Sequence, residues 1–439
     1  MAEFDSRGLP ISTGSLQTAE SYRTGVDLLL SAWPGAERAL RQAIDHDPQF
    51  ALAHAALARL HAINAKPADA RASIATAQEI VARIGSPREI SHVAVLALVV
   101  TGQSIKALES ALAHLDQWPR DVLILSLPLG AFGLFAFSGM ADHDQARVDL
   151  CERVADRYDV DDWWFLTYRG WSHAENGAVT RGRELAQRGL ERRRANANAA
   201  HAVAHAMFEQ GAAQEAESLI EGWLPEYDRA GMLHGHLAWH AALSALERDD
   251  PQAALAIYSK HVRPSVSLGL PINVVSDAVS LLWRLQAYGH EVPADLWEEA
   301  EHYAGSKYAN PGLAFVEVHM GLLSAATGRH VAATDRIDAN TRRVADGALP
   351  AGSVVPAIGS AALAFANADY AECARILEPL TRDFARVGGS GAQREILEDM
   401  LLLATMRSGQ SAKARDLLDR RLHRRPSQRD TRWSRQIEV

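Results

Sequence analysis

The N-terminal third of the sequence repeats a helical-hairpin pattern with a period of about 34 residues, the length of a tetratricopeptide repeat (TPR). This repeat constrains the fold more than any other feature, because small and large residues fall at the expected helix-packing positions. They are Ala51, Leu57 and Ala58 in one first helix, Ala70, Ile74 and Ala77 in the helix after it, and Ala36, Leu40, Ala43 and Pro48 in the preceding repeat. Small residues let helices cross closely. The pattern therefore predicts stacked helical hairpins.

The later sequence keeps helical spacing but loses the strict period. Beyond Pro87, short polar or Gly-containing breaks such as Asn176-Gly177 separate helix-length segments, and no alternating strand pattern is evident. We expect an all-α, TPR-like superhelix of about ten hairpins. The expected organisation is a single domain over residues 1–439, with a lead-in over 1–20, the superhelix from about 20 to about 425, and a basic, solvated tail over 426–439.

Length, charge and cysteine content argue against several classes of protein. The 439 residues carry a formal net charge of −9, which is unfavourable for a nucleic-acid binder. Cys151 and Cys373 are too few for a disulfide framework, and the start of the chain has no signal-peptide pattern. These features predict a cytoplasmic protein with no nucleic-acid partner.

One uncharged stretch, residues 122–141, is nearly long enough to cross a bilayer. Pro128, Gly130, Gly133 and Gly139 interrupt it, and no second stretch of this kind follows. We expect it to form a buried helix of the repeat array and predict no membrane partner.

Two helical segments carry polar stripes on otherwise apolar surfaces. His201, His205 and Glu209 are spaced by four residues, and His236 and His240 repeat the spacing further along. Residues four apart share one face of a helix. A lone histidine is most often a core residue paired with a neighbouring carbonyl or carboxylate, and that interpretation stays open. Several ionisable groups on consecutive hairpins are costly to bury unless they pair with one another or with a ligand, so we favour convergence on a common cavity.

Short motifs along nearly the whole chain support a family assignment. They are RGLPISTGS and DPQFALAHAALA near the start, NANAAHAVAHAMFEQG, HLAWHAALSALE and DAVSLLWRL in the middle, and FVEVHMGLLSA and GGSGAQRE near the end. As a set they resemble the tetratricopeptide repeat protein 38 family. Family members carry polar residues that match His201, His205, Trp239, His240, Asp277, His319, Gln393 and Arg394. The chain departs at Val316 and Glu317, where members often have a polar lead into the histidine. The resemblance implies a TPR-like fold and supplies no activity.

We predict that the polar residues line one pocket on the concave face of the superhelix, because equivalent helices of successive hairpins lie roughly 8–10 Å apart. The residues assigned to catalysis are His205, His240, Asp277 and His319, and those assigned to ligand binding are His201, Glu209, His236, Trp239, Gln393 and Arg394. Arg394 can join this pocket only if the superhelix curls tightly. Gly388, Gly389 and Gly391 would then let backbone amides at a helix start approach an anion beside Arg394.

Two chemistries fit the histidines. Pairs at i and i+4 could supply ligands to a zinc-like ion, although the HExxH signature is absent. Metal-free acid–base chemistry needs only one histidine of near-neutral pKa, oriented by a carboxylate such as Asp277 or Glu209. We favour the metal-free chemistry, so no cofactor is predicted and a zinc-like ion is the alternative.

Two functions remain open at this point. The first is binding of a small polar or anionic molecule, for binding alone or for hydrolase- or lyase-like acid–base catalysis. The second is a TPR scaffold that binds a peptide or protein partner in its groove. Peptide-binding grooves of this kind usually display Lys, Arg and Asn, whereas this one is predicted to display His and carboxylates, so we favour the small molecule. The sequence predicts neither the substrate nor the oligomeric state.

Overall fold

The chain consists almost entirely of helix pairs joined by short turns. A computed structural model describes residues 3–437. The α-helices are α1 (Leu16–Leu30), α2 (Ala36–His46), α3 (Ala51–Ile63), α4 (Pro67–Ile84), α5 (Pro87–Val100), α6 (Ser104–Gln117), α7 (Val122–Leu125), α8 (His143–Val154), α9 (Trp163–Glu175), α10 (Val179–Arg192), α11 (Ala197–Glu209), α12 (Ala213–Trp223), α13 (His234–Glu247), α14 (Pro251–Ile257), α15 (Pro271–Ala287), α16 (Ala294–Lys307), α17 (Ala314–Ala326), α18 (His330–Ala345), α19 (Val354–Ala366), α20 (Tyr370–Leu377), α21 (Gly391–Arg407), α22 (Ser411–Arg424) and α23 (Gln428–Ile437). Short 3-10 turns lie at Ala155–Arg157, Leu224–Glu226, Glu378–Leu380 and Phe384–Val387, and a π turn lies at Tyr258–Val262.

Most of these helices form hairpins. The packed pairs are α1/α2, α3/α4, α5/α6, α9/α10, α11/α12, α13/α14, α15/α16, α17/α18, α19/α20 and α21/α22. The first helices of successive hairpins lie side by side, with α13 between α11 and α15. This arrangement confirms the all-α, TPR-like superhelix predicted from the repeat. None of the helices described is long and apolar enough to span a membrane.

The apolar core has two large bodies. One is built mainly from residues between Ile11 and Phe165, and the other from residues between Ala197 and Trp433. A small cluster that includes Trp171 and Val203 lies between them. Helices α9 and α11 therefore occupy the junction of the two bodies.

A short strand pair near the N-terminus departs from the sequence prediction. Strands β1 (Glu3–Phe4) and β2 (Pro10–Ile11) pair antiparallel, where no strand was expected. The Asp5 carboxylate accepts hydrogen bonds from the backbone N–H groups of Arg7 and Leu9, and Gly8 takes a positive φ of 76°. Local side-chain bonds of this kind close a turn, and two-residue strands are too short to leave an alternating pattern.

The uncharged stretch at residues 122–141 is buried but is not the repeat helix that we predicted. Only Val122–Leu125 is helical, and the chain then turns repeatedly. Gly139 has a φ of 80°, and a Cβ there would collide with the carbonyl oxygen of Pro350. The stretch is a connection that packs against the C-terminal half of the chain.

The two halves of the superhelix meet along a seam between residues 139–144 and 385–394. Arg386 Nη1 donates to the Gly139 carbonyl at 2.8 Å, and His143 Nε2 lies 2.9 Å from the Ala385 carbonyl oxygen. Arg394 Nη2 lies 2.8 Å from Asp144 Oδ2. The superhelix therefore curls back on itself. This was the condition under which we expected Arg394 to approach the other predicted site residues.

The C-terminal tail was wrongly predicted to be a solvated cap. Residues Gln428–Ile437 form α23, and Arg429, Asp430 and Trp433 are buried. Charged residues are rarely buried unless they are paired, and the partners of this tail come from helices far away in sequence, which composition alone does not reveal.

A buried ion network holds the tail and the last hairpin in place. It comprises Glu247 of α13, Arg284 of α15, Glu395 and Asp399 of α21, Arg421 of α22, Arg425, and Arg429 and Asp430 of α23. Arg421 lies 2.8 Å from both Asp399 and Asp430, and Arg284 Nε lies 3.1 Å from the other oxygen of Asp399. Arg429 lies 3.0 Å from Glu247.

Replacement of Arg421 by Ala should lower the free energy of unfolding by roughly 3–5 kcal/mol, because it leaves buried carboxylates with part of their counter-charge missing. The neighbouring Arg420 is the matched control. Its ion pair with Asp416 is about two-thirds exposed on both sides, so Arg420→Ala should cost less than about 1 kcal/mol. Urea denaturation of the two variants beside wild type measures the difference. Equal losses in both would show that the network does not hold the closure together.

Candidate functional site

Four histidines form one cluster where α11 meets α13. The i, i+4 spacing places His201 and His205 on one face of α11 and His236 and His240 on one face of α13. Adjacent rings have centroids 4.8 to 5.5 Å apart. The two stripes that the sequence revealed therefore meet, and we call these four residues the histidine cluster.

The ring nitrogens of three members converge. His201 Nε2 lies 3.0 Å from His240 Nε2 and 3.2 Å from His236 Nε2. His236 Nδ1 lies 2.9 Å from Asp277 Oδ2, and this carboxylate accepts its proton. The predicted partner Asp277 thus orients one histidine from behind. Among the residues described, His201, His205 and His240 form a buried group whose ring nitrogens lie within 4.8 Å of one another and could hold a metal ion.

Two tryptophans pack against the cluster. The Trp239 ring stacks on His236 at 5.3 Å, and its Nε1 donates to Ser280 Oγ at 3.1 Å. Trp171 of α9 stacks on His201 at 5.0 Å. We predicted Trp239 as a ligand-binding residue; in the structure it is buried and packs on the His236 ring. Trp171 could not be assigned to this cluster from the sequence, because it lies in an aromatic-rich segment typical of helix packing.

Burial keeps His201, His205 and His240 uncharged. Desolvation, followed by the charges of neighbouring histidines, lowers the pKa of His201 and of His240 well below the usual value. Desolvation also lowers the pKa of His205, to about 3. All three are therefore neutral imidazoles at physiological pH, so a metal-free role as a base of near-neutral pKa does not suit them.

Glu175, the last residue of α9, was missed by the sequence analysis. Its Oε1 lies 3.0 Å from His205 Nδ1 without the alignment of a hydrogen bond, and its Oε2 accepts from the Gly391 N–H at 2.8 Å. Burial, followed by the charge of Asp144, raises the pKa of Glu175 to about 8. The place at the start of α21 where we expected an anion is thus occupied by a side-chain carboxyl group of the protein. Its only sequence signal is its position just before the Asn176-Gly177 break.

Three other predicted site residues have different partners. His319 Nδ1 donates to its own helix at the Phe315 carbonyl, 2.8 Å away, and its ring packs on Phe315 at 4.5 Å. Gln393 closes a capping box with Ser390 at the start of α21. Arg394 pairs with Asp144 across the seam and donates to the Gly389 carbonyl. Their contacts in the described chain explain their presence without a shared ligand.

A pocket of about 500 Å³ opens beside the seam, and we call it the seam pocket. Its charged lining residues are Glu175, Glu209, Arg382, Arg394, Glu395, Glu398, Arg424 and Arg425. Of the ten predicted site residues, Glu209 and Arg394 line it, whereas the histidines, Trp239, Asp277 and Gln393 do not. The expectation of one common pocket is therefore corrected to two adjoining sites, which are linked through the contact between Glu175 and His205.

Replacement of Asp144 by Asn tests the electrostatics of the seam. Burial raises the pKa of Asp144, but the close contact of His143 and the charges of Arg394 and Arg147 outweigh it and hold the pKa below the usual range. A depressed folded-state pKa contributes stability above the unfolded pKa of about 3.9, and this contribution is lost as the pH falls from there through the lower pKa of the folded state. We expect Asp144→Asn to be less stable by about 1–3 kcal/mol at neutral pH and to lose less stability on acidification.

Urea titrations between neutral pH and acid pH measure this difference. The exposed Asp149 on the same helix is the control, and Asp149→Asn should follow wild type. Parallel stability curves for wild type and Asp144→Asn would contradict the assignment.

No family model matches the sequence. Among solved structures, the chain is similar to yeast Tom70, with 12% identity over 96% of this chain and 88% of that chain and a TM-score of 0.35. It is also similar to a monomeric IFIT1 mutant with Gppp-AAAA, with 13% identity over 94% and 88% and a TM-score of 0.35. The TPR domain of P58(IPK) is 12% identical over 90% of this chain and 99% of that chain, with a TM-score of 0.21. These similarities concern the fold alone.

Proposed function

We propose that the chain binds a small polar molecule in the seam pocket. The observation that carries this proposal is the meeting of acidic and basic side chains from four distant elements around one space of about 500 Å³. Glu175 comes from α9, Glu209 from α11, Arg394 from α21 and Arg424 from α22. A volume of this size suits a small ligand, and a few converging polar groups are what orient one.

The free hydrogen-bonding capacity of the pocket suggests the chemistry of the ligand. Arg382 is exposed at the pocket and has no ion-pair partner among residues 3–437. Glu175 also lines the pocket; its Oε1 is buried on the side of His205, and its Oε2 accepts from the Gly391 N–H. A ligand with one anionic group and one hydrogen-bond donor would pair with Arg382 and with the second lone pair of Glu175 Oε2. This description keeps the polar or anionic molecule expected from the sequence and moves its site from the histidines to the seam.

Proton transfer is the chemistry that such a pocket can offer. A carboxyl group whose pKa is raised to about 8 holds a proton at neutral pH and can release it. Glu175 is placed from one side by the Gly391 N–H and contacted from the other by His205. Hydrolase- or lyase-like acid–base catalysis would thus depend on Glu175, with His205 as a positioning residue behind it.

A peptide-binding scaffold is the second candidate, and a neighbouring groove favours it. This groove of about 460 Å³ is lined by Lys413, Arg420 and Arg424 together with apolar residues such as Phe384 and Leu401. Basic and apolar groups in one groove suit the carboxylate end of a peptide. We rank it second because Lys413 and Arg420 are already paired with Glu378 and Asp416.

We also propose that the chain belongs to the tetratricopeptide repeat protein 38 family. The motifs around His201, His240, Asp277 and Arg394 support membership in the tetratricopeptide repeat protein 38 family. Two of these residues lie in the histidine cluster, Asp277 contacts it, and Arg394 lies at the seam. The motifs that resemble the family thus include residues of the histidine cluster and of the seam, in addition to the helix-packing residues of the repeats.

Small anions should raise the melting temperature of the full chain in a saturable way if the seam pocket binds ligands. The probes are inorganic phosphate, citrate and the free amino acids, tested by thermal shift and then by calorimetry. Arg382→Ala removes an exposed charge from the pocket without breaking an ion pair, and it should weaken binding of the best probe by about tenfold or more. Arg71→Ala, an exposed arginine remote from the pocket lining, should bind as wild type does.

Glu175→Gln tests the other side of the pocket. The substitution keeps the shape of the side chain but removes the acid, so a probe with a donor group should bind more weakly while phosphate binding changes little. If no probe stabilises wild type, or if Arg382→Ala binds the best probe unchanged, the proposal is wrong.

A further inference from the structure

Two groups of buried side chains in the described chain have the composition of a metal site. One comprises His92, His114 and Asp121 near the N-terminus, and the other includes His201, His205 and His240 of the histidine cluster. In each group the potential ligand atoms lie within 4.8 Å of one another. The charges around the two groups differ, and this difference distinguishes a candidate metal site from a completed ion-pair network.

The N-terminal group already contains its own cation. Asp121 Oδ2 lies 2.8 Å from Arg88 Nη1, 2.9 Å from His92 Nδ1 and 3.2 Å from His114 Nε2. The carboxylate thus has three donors and a full counter-charge from a guanidinium. A metal ion would have to displace this arginine, so the group is a complete ion and hydrogen-bond network.

The histidine cluster has the spacing of a metal site. Two imidazole nitrogens that bind the same zinc ion at 2.0–2.1 Å with tetrahedral angles are roughly 3.3 Å apart. The Nε2 atoms of His240 and His236 lie 3.0 and 3.2 Å from that of His201. His205 offers a further ring nitrogen within 4.8 Å of those of His201 and His240.

The protons of neutral imidazoles cannot satisfy these contacts. His236 carries its proton on Nδ1, which faces Asp277, so its Nε2 presents a lone pair. If His201 is protonated at Nε2, it can donate to only one of its two close neighbours. If it is not, it can accept from His240 but faces the lone pair of His236. One of the two short contacts at His201 therefore lacks a hydrogen bond, whereas a cation would bind the ring lone pairs directly.

The charge of the surroundings also calls for a cation. Asp277 is 2% exposed, and its side-chain partners among residues 3–437 are His236 and Ser276, neither of which is a permanent cation. A buried carboxylate without a counter-charge is unfavourable. A carboxylate behind a metal-bound imidazole is, in contrast, a common arrangement that fixes the ring and balances the ion.

We propose that His201, His205 and His240 bind one divalent ion of the zinc class through their ring nitrogens. His236, whose Nε2 lies 3.2 Å from that of His201, is the nearest side chain to complete four ligands, and Asp277 is the carboxylate behind it. The ion binds beside the seam pocket and does not require a ligand there.

Metal analysis of the full chain tests the proposal directly. We expect purified wild type to contain about one zinc-class ion per chain. After removal by a chelator, Co²⁺ should restore one ion per chain with the visible absorption of a four-coordinate site, and Zn²⁺ should displace it. Zinc should also raise the melting temperature of the stripped protein, because an ion that binds only the folded chain stabilises it.

Matched variants separate a bound ion from background metal. His240→Ala should lose the ion and the zinc-dependent rise in melting temperature, whereas His302→Ala, which removes an exposed histidine, should retain both. Asp277→Asn should keep the stoichiometry but bind roughly 10- to 100-fold more weakly. If His240→Ala fails to fold, the titration of stripped wild type and of Asp277→Asn decides. Failure of stripped wild type to take up Co²⁺ or Zn²⁺ at micromolar concentration would overturn the proposal, as would equal retention in His240→Ala and His302→Ala.

Discussion

Closure of the superhelix depends on paired charges that are removed from water together. An isolated guanidinium or carboxylate would not be buried without a large cost, so each member of the ion network is tolerated only because its partners arrive from other helices. Asp399 receives Arg284 and Arg421 from two different elements, and Glu247 receives Arg429 from the last helix. The same reasoning accounts for the ordered C-terminal tail in a chain whose overall charge is negative.

Local periodicity predicted the elements of this fold well. The hairpins, the two polar stripes and the convergence of His201 and His205 with His236 and His240 all follow from spacings within single helices. The partners across the seam could not be read in this way. Helical spacing defines which face a residue occupies, but the curl of the superhelix is the sum of many small packing angles. Glu175 and the buried α23 were missed for this reason, while His319 was assigned to a site that it does not reach.

The histidine cluster and the seam pocket differ in what surrounds them. The cluster is enclosed by Trp171 and Trp239 and includes the neutral rings of His201, His205 and His240, whereas the pocket is lined by charged side chains of both signs. Glu175 contacts both, with one oxygen toward His205 and the other on the Gly391 N–H. The first turn of α21 therefore connects the closure of the superhelix with the position of a histidine. A movement of the seam would therefore shift the Glu175 carboxyl group and, through it, change the position of His205.

The seam can form only after most of the chain has been synthesised. His143 and the Ala385 carbonyl are 242 residues apart, and a ribosome that adds about 5–20 residues per second needs about 10–50 s to make the intervening chain. During that interval Asp144, Arg147 and Glu175 have emerged while Arg394 and Gly391 do not yet exist. The N-terminal side of the seam thus stays without its C-terminal partners for far longer than a helical hairpin needs to form. During this period its buried surface is exposed and available to chaperones.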